Sequence, residues 1–386
     1  MRNAVLKIAV LSISLLSLTI TSASVALGDI SLAFPDAGPN TIKLIVSLPA
    51  LLIIPFTLLC GKLSNAVSKR KLLFTGLSLF LIGGVGPSFS NNLIWILILR
   101  AILGIGMGFI MPLATGLIAD FFDGEERAAM MGLQSAVVNT GAIITSLVAG
   151  FLSAIDWHYV FLVYLIGVLV FVVTFFKLPD PEQPQETNTE KEALNRPVYV
   201  IAFVIFVHSL LLFSFFTNTA MVITEEGLGN AASAGIAITL MTVGGLIAGI
   251  FFGKILQCLK KFVIPLSAVL TGIGFFMLSY PQGLNLMLIA SIIIGIGFGT
   301  TMPAVMIKTS MVAPKSATTL AIAVVTSAMS LGQFISPFVL SFVEMLFAAN
   351  TGRFSFVFAG FGILAGGLVL CLLVLRPEKA FGSESN

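Results

Sequence analysis

Long apolar runs alternate with short polar breaks along this chain. Twelve runs come near the roughly 20 residues that a helix needs to cross a bilayer. They cover 6–27, 41–60, 72–87, 93–118, 128–154, 159–176, 198–221, 231–256, 263–280, 286–307, 316–347 and 354–375. The third is short and the eleventh long. Most breaks are turns of Gly, Pro, Asn and charge, as at 35–40, 88–92 and 281–283. Only 177–197 is long and polar, with Pro179, Asp180, Pro181, Glu182, Pro184 and Glu186. That composition reads as a flexible linker. The pattern predicts an all-α membrane protein with twelve transmembrane helices in two six-helix pseudo-repeats. The expected units are an N-terminal bundle over 1–176, a cytoplasmic linker over 177–197 and a C-terminal bundle over 198–386 with a short cytoplasmic tail. The start, with Arg2, Lys7 and small residues at 22–26, has the look of a signal peptide. Eleven more runs follow it, so it reads as the first span.

Composition narrows the class. Of 386 residues, 58% are apolar and 10% charged, against roughly 25% charged in a soluble domain. So few charges could not cover a water-facing surface of this size. Soluble enzymes, nucleic-acid binders and disordered proteins are thereby excluded. Cys60, Cys258 and Cys371 lie far apart in or beside apolar runs, which makes them packing residues rather than a disulfide or metal framework.

The location of charge says more than the net +3. With the N-terminus inside, only Lys43 and Arg353 of the 20 Lys and Arg fall in outer segments, and Arg100 falls within a span. The other seventeen are cytoplasmic, a strong positive-inside bias. Both termini and the linker are therefore expected on the cytoplasmic side of the cell membrane.

The two halves also repeat. Gly104, Gly106, Gly108, Met111 and Pro112 match Gly295, Gly297, Gly299, Met302 and Pro303 at a spacing of 191. Gly141 falls on Gly332 at the same spacing, and Gly61-Lys62 matches Gly253-Lys254 at nearly that spacing. Glycines four apart share a helix face and let a neighbouring helix approach closely. A duplicated six-helix unit is common among secondary transporters, with the substrate site between the halves.

These residues resemble the major facilitator superfamily over nearly the whole chain. The loop from Gly61 to Lys71 is similar to the family pattern Gly-x-Leu-Ala-Asp-Arg-x-Gly-Arg-Arg/Lys, with Asn65, Ala66 and Ser68 replacing its Asp, Arg and second Gly. In the family this loop latches the halves together on the cytoplasmic side. The resemblance thus makes Gly61, Asn65, Lys69 and Arg70 latch residues. Lys69, Arg70 and Lys71 read equally well as topology signals. Arg100, Gly104 and Gly106 resemble the family's Arg-x-x-x-Gly-x-Gly. The segment Asp120 to Arg127 resembles its acidic loop, and Trp157, His158 and Phe161 resemble Trp-Arg-x-x-Phe with His158 for Arg. In the fifth span Gly132 and Gly141 keep the spacing of the drug/proton antiporter branch, but its Gly-Pro is Thr145-Ser146.

Charges inside spans are costly and usually functional. Arg100 lies about 10 Å from the outer end of its span at 1.5 Å per residue. It is either a coupling or substrate-anchoring residue, or a structural one that binds neighbouring carbonyls. His208, in the middle of the seventh run, could exchange a proton near neutral pH or serve as a neutral hydrogen-bonding group. No Asp or Glu lies in the middle of a span. Asp29, Glu225, Glu226 and Glu344 lie near outer ends, with Asp29 the best placed of them. Coupling candidates are thus Arg100, His208 and Asp29.

The resemblance implies a cavity lined by the first, fourth, seventh and tenth helices. That points to Thr21, Ser24, Arg100, Met107, His208, Phe215, Asn218, Thr300 and Thr301. Phe203, Phe206, Phe213, Phe215 and Phe216 would suit an apolar or aromatic substrate, or face lipid. The implied function is alternating-access transport of a small molecule, with proton-coupled export of amphiphilic compounds as the leading form. An uptake or facilitating permease for a small organic anion, anchored by Arg100, is the alternative. No cofactor, metal or enzymatic motif is expected. The partners expected are protons, the lipid bilayer and a small-molecule substrate, with no nucleic acid, and the protein is expected to be a monomer.

Overall fold

The computed structural model describes residues 2–17, 19–64, 66–179, 194–280, 283–314, 317–348 and 352–375. Helix dominates these residues. The spans are α1 (Arg2–Ser14, then Thr19–Ala33), α2 (Pro39–Leu63), α3 (Lys69–Phe89), α4 (Leu93–Phe121), α5 (Gly124–Ser153) and α6 (Trp157–Lys177). Then come α7 (Arg196–Glu225), α8 (Ala231–Leu259), α9 (Val263–Ser279), α10 (Gly283–Val312), α11 (Thr318–Leu346) and α12 (Arg353–Leu375).

Ten continuous stretches are long and apolar enough to cross a membrane, and α1 makes an eleventh if its two pieces form one bent span. One of the ten, Ala231–Ser279, has 49 residues, about 74 Å at helical rise and far beyond a bilayer core. It is two helices, α8 and α9, meeting at a turn over Lys260–Phe262 where Lys260 has φ of 47°. Both pack on α10. Counted separately, they bring the spans to the expected twelve.

Local chemistry sets the helix starts. The Asn92 side-chain oxygen accepts from the Ile94 N–H at 2.9 Å to open α4, and Asn230 does the same for Ala232 at 3.1 Å to open α8. Each satisfies a first-turn donor that has no partner within its helix. Pro sits in the first turn of α2 and of α7, where its missing N–H costs nothing. Large apolar side chains such as Trp95, Phe151, Phe176, Phe203 and Phe251 stay exposed. In a protein of these spans their partner is lipid.

The first run departs from the expected continuous helix. Its α-helix stops at Ser14, and the chain resumes as a 3-10 turn over Thr19–Ala26, bent by 41° from the first piece. Hydroxyls explain the break: Thr19 donates to the Leu16 carbonyl at 2.8 Å and Ser24 to the Thr21 carbonyl at 2.6 Å. Such bonds offer the backbone an alternative to the helical ladder. The seventh span stays one stretch but its helix is interrupted at the single residue Phe213, where Ser214 donates to the Leu211 carbonyl at 2.7 Å.

The 191-residue repeat is a repeat in space. A Cβ on Gly141 of α5 would meet the carbonyl of Leu15 in α1, and one on Gly332 of α11 would meet that of Phe206 in α7. Leu15 and Phe206 are themselves 191 apart. In the same way Gly106 of α4 lies against Gly76 and Phe80 of α3, and Gly297 of α10 against Ser267 and Thr271 of α9. Gly104 and Gly108 turn toward Pro49 and Phe56 of α2, and Gly295 and Gly299 toward Met241 and Gly245 of α8. The glycines mark where helix backbones touch, and the halves use the same contacts.

Candidate functional site

Between α1–α6 and α7–α12 lies a cavity of about 710 Å³, within the range of small-molecule sites. Its position follows from where the halves meet. Gly28 of α1 packs on Ala220 and Thr224 of α7, Gly150 of α5 on Gly235 of α8, and Asn40 of α2 hydrogen-bonds Ser341 of α11. All six elements meet at the end of the bundle away from the basic loop Lys69 to Lys71. Lys43 of α2 is 3% exposed there, with the carboxylates of Glu225 and Glu344 from the other half as its charged neighbours.

At the basic end the polar contacts among the described residues stay within one half. Lys7 pairs with Glu126 at 2.6 Å and Lys69 with Asp120 at 2.7 Å. Arg70 donates to the Phe175 carbonyl at 2.8 Å, and Lys261 to the Val374 carbonyl at 3.1 Å. The cavity runs from mid-bundle toward this end, past Gly132 of α5, Phe252 of α8 and Met306 of α10.

The two walls differ. The second half contributes Phe213, Phe216, Phe252, Phe298, Met302 and Met306 with other residues of α7, α8 and α10, plus Gln333 of α11. The first half contributes Thr21 of α1 and a strip of α5 with Gly132, Ser135, Ala136, Asn139 and Ala142. Asn139 Nδ2 donates to the Ser135 carbonyl at 2.8 Å, which leaves its oxygen available. Ser209 also lines the cavity, but its hydroxyl oxygen is buried and has no protein partner. Among the described residues no Asp, Glu, Lys, Arg or His lines the cavity.

Of the nine residues expected on the cavity, Thr21 lines it. The other eight are buried in helix packing. Ser24 bonds back to its own turn. Met107 is fully buried in the hydrophobic core. Phe215 is fully buried while its neighbour Phe216 reaches the cavity. Asn218 donates to the Ser214 carbonyl at 3.1 Å. Thr300 bonds the Ile296 carbonyl, and Thr301 meets the Ser267 hydroxyl at 2.8 Å. His208 is buried with Nε2 unpartnered, while Ser209 lines the cavity. One residue along a helix turns a side chain by about 100°, enough to exchange cavity for core.

Arg100 is fully buried and is not on the lining. Its Nε donates to the Ile45 carbonyl of α2 at 2.8 Å and Nη2 to the Ile20 carbonyl of α1 at 3.1 Å. The guanidinium lies 5.0 Å from the Tyr164 ring centroid, a cation–π distance. Of the two sequence readings, the contacts are those of the structural one. The bond to Ile20 holds the 3-10 segment that presents Thr21.

Other expected residues sit at the ends. Gly61 is in open space, Asn65 lies outside the described residues, and Lys69 and Arg70 are engaged within their own half. Asp29 is half-buried at the closed end. Asp156 accepts from the His158 N–H at 2.9 Å and from its ring Nδ1 at 2.6 Å, and His158 Nε2 reaches Asn91 at 2.8 Å. The His158 N–H, then its ring, holds the Asp156 carboxyl below its ordinary value. His158 thus ties α6 to the loop before α4.

Sequence reasoning missed the whole contribution of α5, α8 and α11. The signal existed: Ser135 and Asn139 are four apart on one face of an apolar helix, and Gln333 is an amide within another.

The chain matches the model of the Major Facilitator Superfamily over residues 8–229 and again over 201–385. Quinolone resistance protein NorA of Staphylococcus aureus (strain MSSA476) is 25% identical over 289 residues, spanning 72% of this chain and 73% of NorA. Multidrug resistance protein 3 of Bacillus subtilis (strain 168) is 33% identical over 121 residues, 30% of this chain and 24% of that one. The inward-open structure of the xylose transporter XylE from E. coli has a TM-score of 0.75 at 16% identity, covering 98% of each chain. A bacterial homologue of the human lysosomal transporter Spinster has a TM-score of 0.72 at 15% identity, over 97% of this chain and 95% of that one. Two matches that together cover nearly all the helices, and a fold shared along the whole length, lead to one conclusion: this multi-pass membrane protein belongs to the Major Facilitator Superfamily.

Proposed function

We propose that this protein exports small amphiphilic compounds from the cytoplasm in exchange for protons. The observation that carries the reading is a mostly apolar cavity, open at the basic end and sealed at the other by contacts between the halves. The positive-inside rule puts the basic end, both termini and the linker in the cytoplasm. The cavity would then load from the cytoplasm or the inner leaflet. Likeness to NorA and to Multidrug resistance protein 3 favours export over uptake. The anion-permease alternative loses its anchor, because Arg100 is engaged with backbone carbonyls away from the lining.

Transport would proceed by rocking of the unit over 1–176 against the unit over 198–386, with 177–197 as the tether. Closing the cytoplasmic mouth brings the loop of Gly61, Asn65, Lys69 and Arg70 against the second unit. Opening the outer end separates Gly28 from α7, Asn40 from Ser341, and Lys43 from Glu225 and Glu344. With no titratable group among the described lining residues, proton and substrate occupy different places. Asp29 and His208 are the proton candidates: α1 carries both Asp29 and Thr21, and α7 carries both His208 and Ser209. Coupling then passes along those helices rather than through direct competition.

The test uses proteoliposomes holding a pH-sensitive dye and an imposed proton gradient. Addition of a transported compound from an aromatic amphiphile panel should dissipate the gradient as the compound moves. Compound movement with no proton flux would refute exchange. No movement of any member would refute the export reading.

A further inference from the structure

We infer that the substrate is electrically neutral in its bound form: an aromatic amphiphile with one or two hydrogen-bonding groups, aligned by Gln333 and Asn139. This deepens the export reading and rests on the cavity being its substrate site.

Three observations carry the inference. First, among the described residues the lining has neither a carboxylate nor a cation. Alternating access requires the cavity to close around its cargo, and an ion enclosed there would lose water and gain no counter-charge. Arg100 and His208, charged or chargeable groups within the spans, are buried and off the lining, and Arg100 spends its Nε and Nη2 on backbone carbonyls. Second, the polar groups that do face the cavity are neutral and incompletely used. The Gln333 amide on the lining makes no hydrogen bond among the described residues, and the Asn139 oxygen is available beside an Nδ2 bonded to Ser135. A site whose hydrogen-bonding groups await partners discriminates for cargo that supplies them. Third, these groups lie on α5 and α11, while Phe213, Phe216, Phe252 and Phe298 come from α7, α8 and α10. A ring system would pack on those rings with its polar group turned to the amides.

Three probes of similar shape separate charge from size: tetraphenylborate, triphenylphosphine oxide and tetraphenylphosphonium. Binding to the full-length protein in nanodiscs would be measured by equilibrium dialysis against empty nanodiscs. Triphenylphosphine oxide should bind, and each ion should bind about tenfold or more weakly. Gln333→Leu should weaken the oxide about fivefold without lowering the melting temperature. Gln333→Glu should reverse the preference, with tetraphenylphosphonium now about tenfold tighter than in the wild type. Equal or tighter binding of tetraphenylphosphonium by the wild type would overturn the inference, because the Phe ring faces would then be serving as the counter-charge. Unchanged oxide binding by Gln333→Leu would overturn the role of Gln333. Failure of every probe on both wild type and Gln333→Glu would overturn the cavity as the substrate site, and the export reading with it.

Discussion

Helices α4 and α10 carry the same Gly-x-Gly-x-Gly and Met-Pro residues, 191 apart, and pack on equivalent neighbours. Yet α10 lines the cavity through Phe298, Gly299, Met302, Pro303 and Met306, while α4 contributes nothing to it. The glycines encode close backbone contact, and both helices have that. Exposure to the cavity depends on the remaining faces. Met107, between Gly106 and Gly108, is fully buried, whereas Phe298, between Gly297 and Gly299, reaches the cavity. A shared motif therefore reports shared packing, and the functional surface is divided unequally between the halves.

The comparison breaks most severely if its packing is removed. Gly295→Val should drive a side chain into the Met241 backbone, and Gly104→Val into Pro49. Each should cost about 3 kcal/mol or more through overpacking, read as a large fall in melting temperature. Gly249→Ala, on the cavity with nothing within 4 Å, should be nearly neutral. If the three variants proved alike, the glycines would not be backbone contacts.

Arg100→Met comes next. It removes two charge-assisted hydrogen bonds, worth about 2–3 kcal/mol in buried surroundings, and frees the segment bearing Thr21. Thermal stability should fall while the preference among probes of different charge stays as in the wild type. A change in that preference would return Arg100 to the cavity.

Lys43→Met tests the seal between the halves. It deletes the cation that Glu225 and Glu344 surround, and should shift the equilibrium toward opening at that end by about 1 kcal/mol, about fivefold. Maleimide labelling at Ser341→Cys, in a background with the native cysteines replaced, would report it. Unaltered labelling would mean that the apolar and glycine contacts seal that end alone.

The smallest effect belongs to the cap at Asp156. Its folded-state value is depressed by the His158 N–H and ring. Its stabilisation is therefore present above the carboxyl's unfolded value of about 3.9 and is lost as pH falls through the lower folded value. Asp156→Asn should lower the melting temperature slightly at pH 6, with the gap to the wild type narrowing toward pH 3. A gap that did not narrow would mean that the cap does not depend on the charge.

Much of the architecture was legible because hydrophobic runs and glycines report local demands. Long apolar runs must become helices in lipid, where backbone groups have no other partners. The glycine spacing reported the repeat, which the partner residues then matched. The break in α1 was less legible, since Thr19, Thr21, Ser22 and Ser24 tolerate helix as well as turn. The cavity residues were least legible: Phe215 and Phe216 are alike in type, but one is core and the other lining.

By itself, then, the sequence determined the number of spans, their twofold repetition and the end at which positive charge gathers. Those follow from the free energy of moving residues between water and lipid, which each segment settles nearly alone. Only the tertiary structure decided that Arg100 binds carbonyls, that α5, α8 and α11 line the cavity, and that the halves meet at one end. Those depend on helix rotation and on partners far apart in the chain, where a turn of about 100° decides whether a side chain meets core, cavity or lipid.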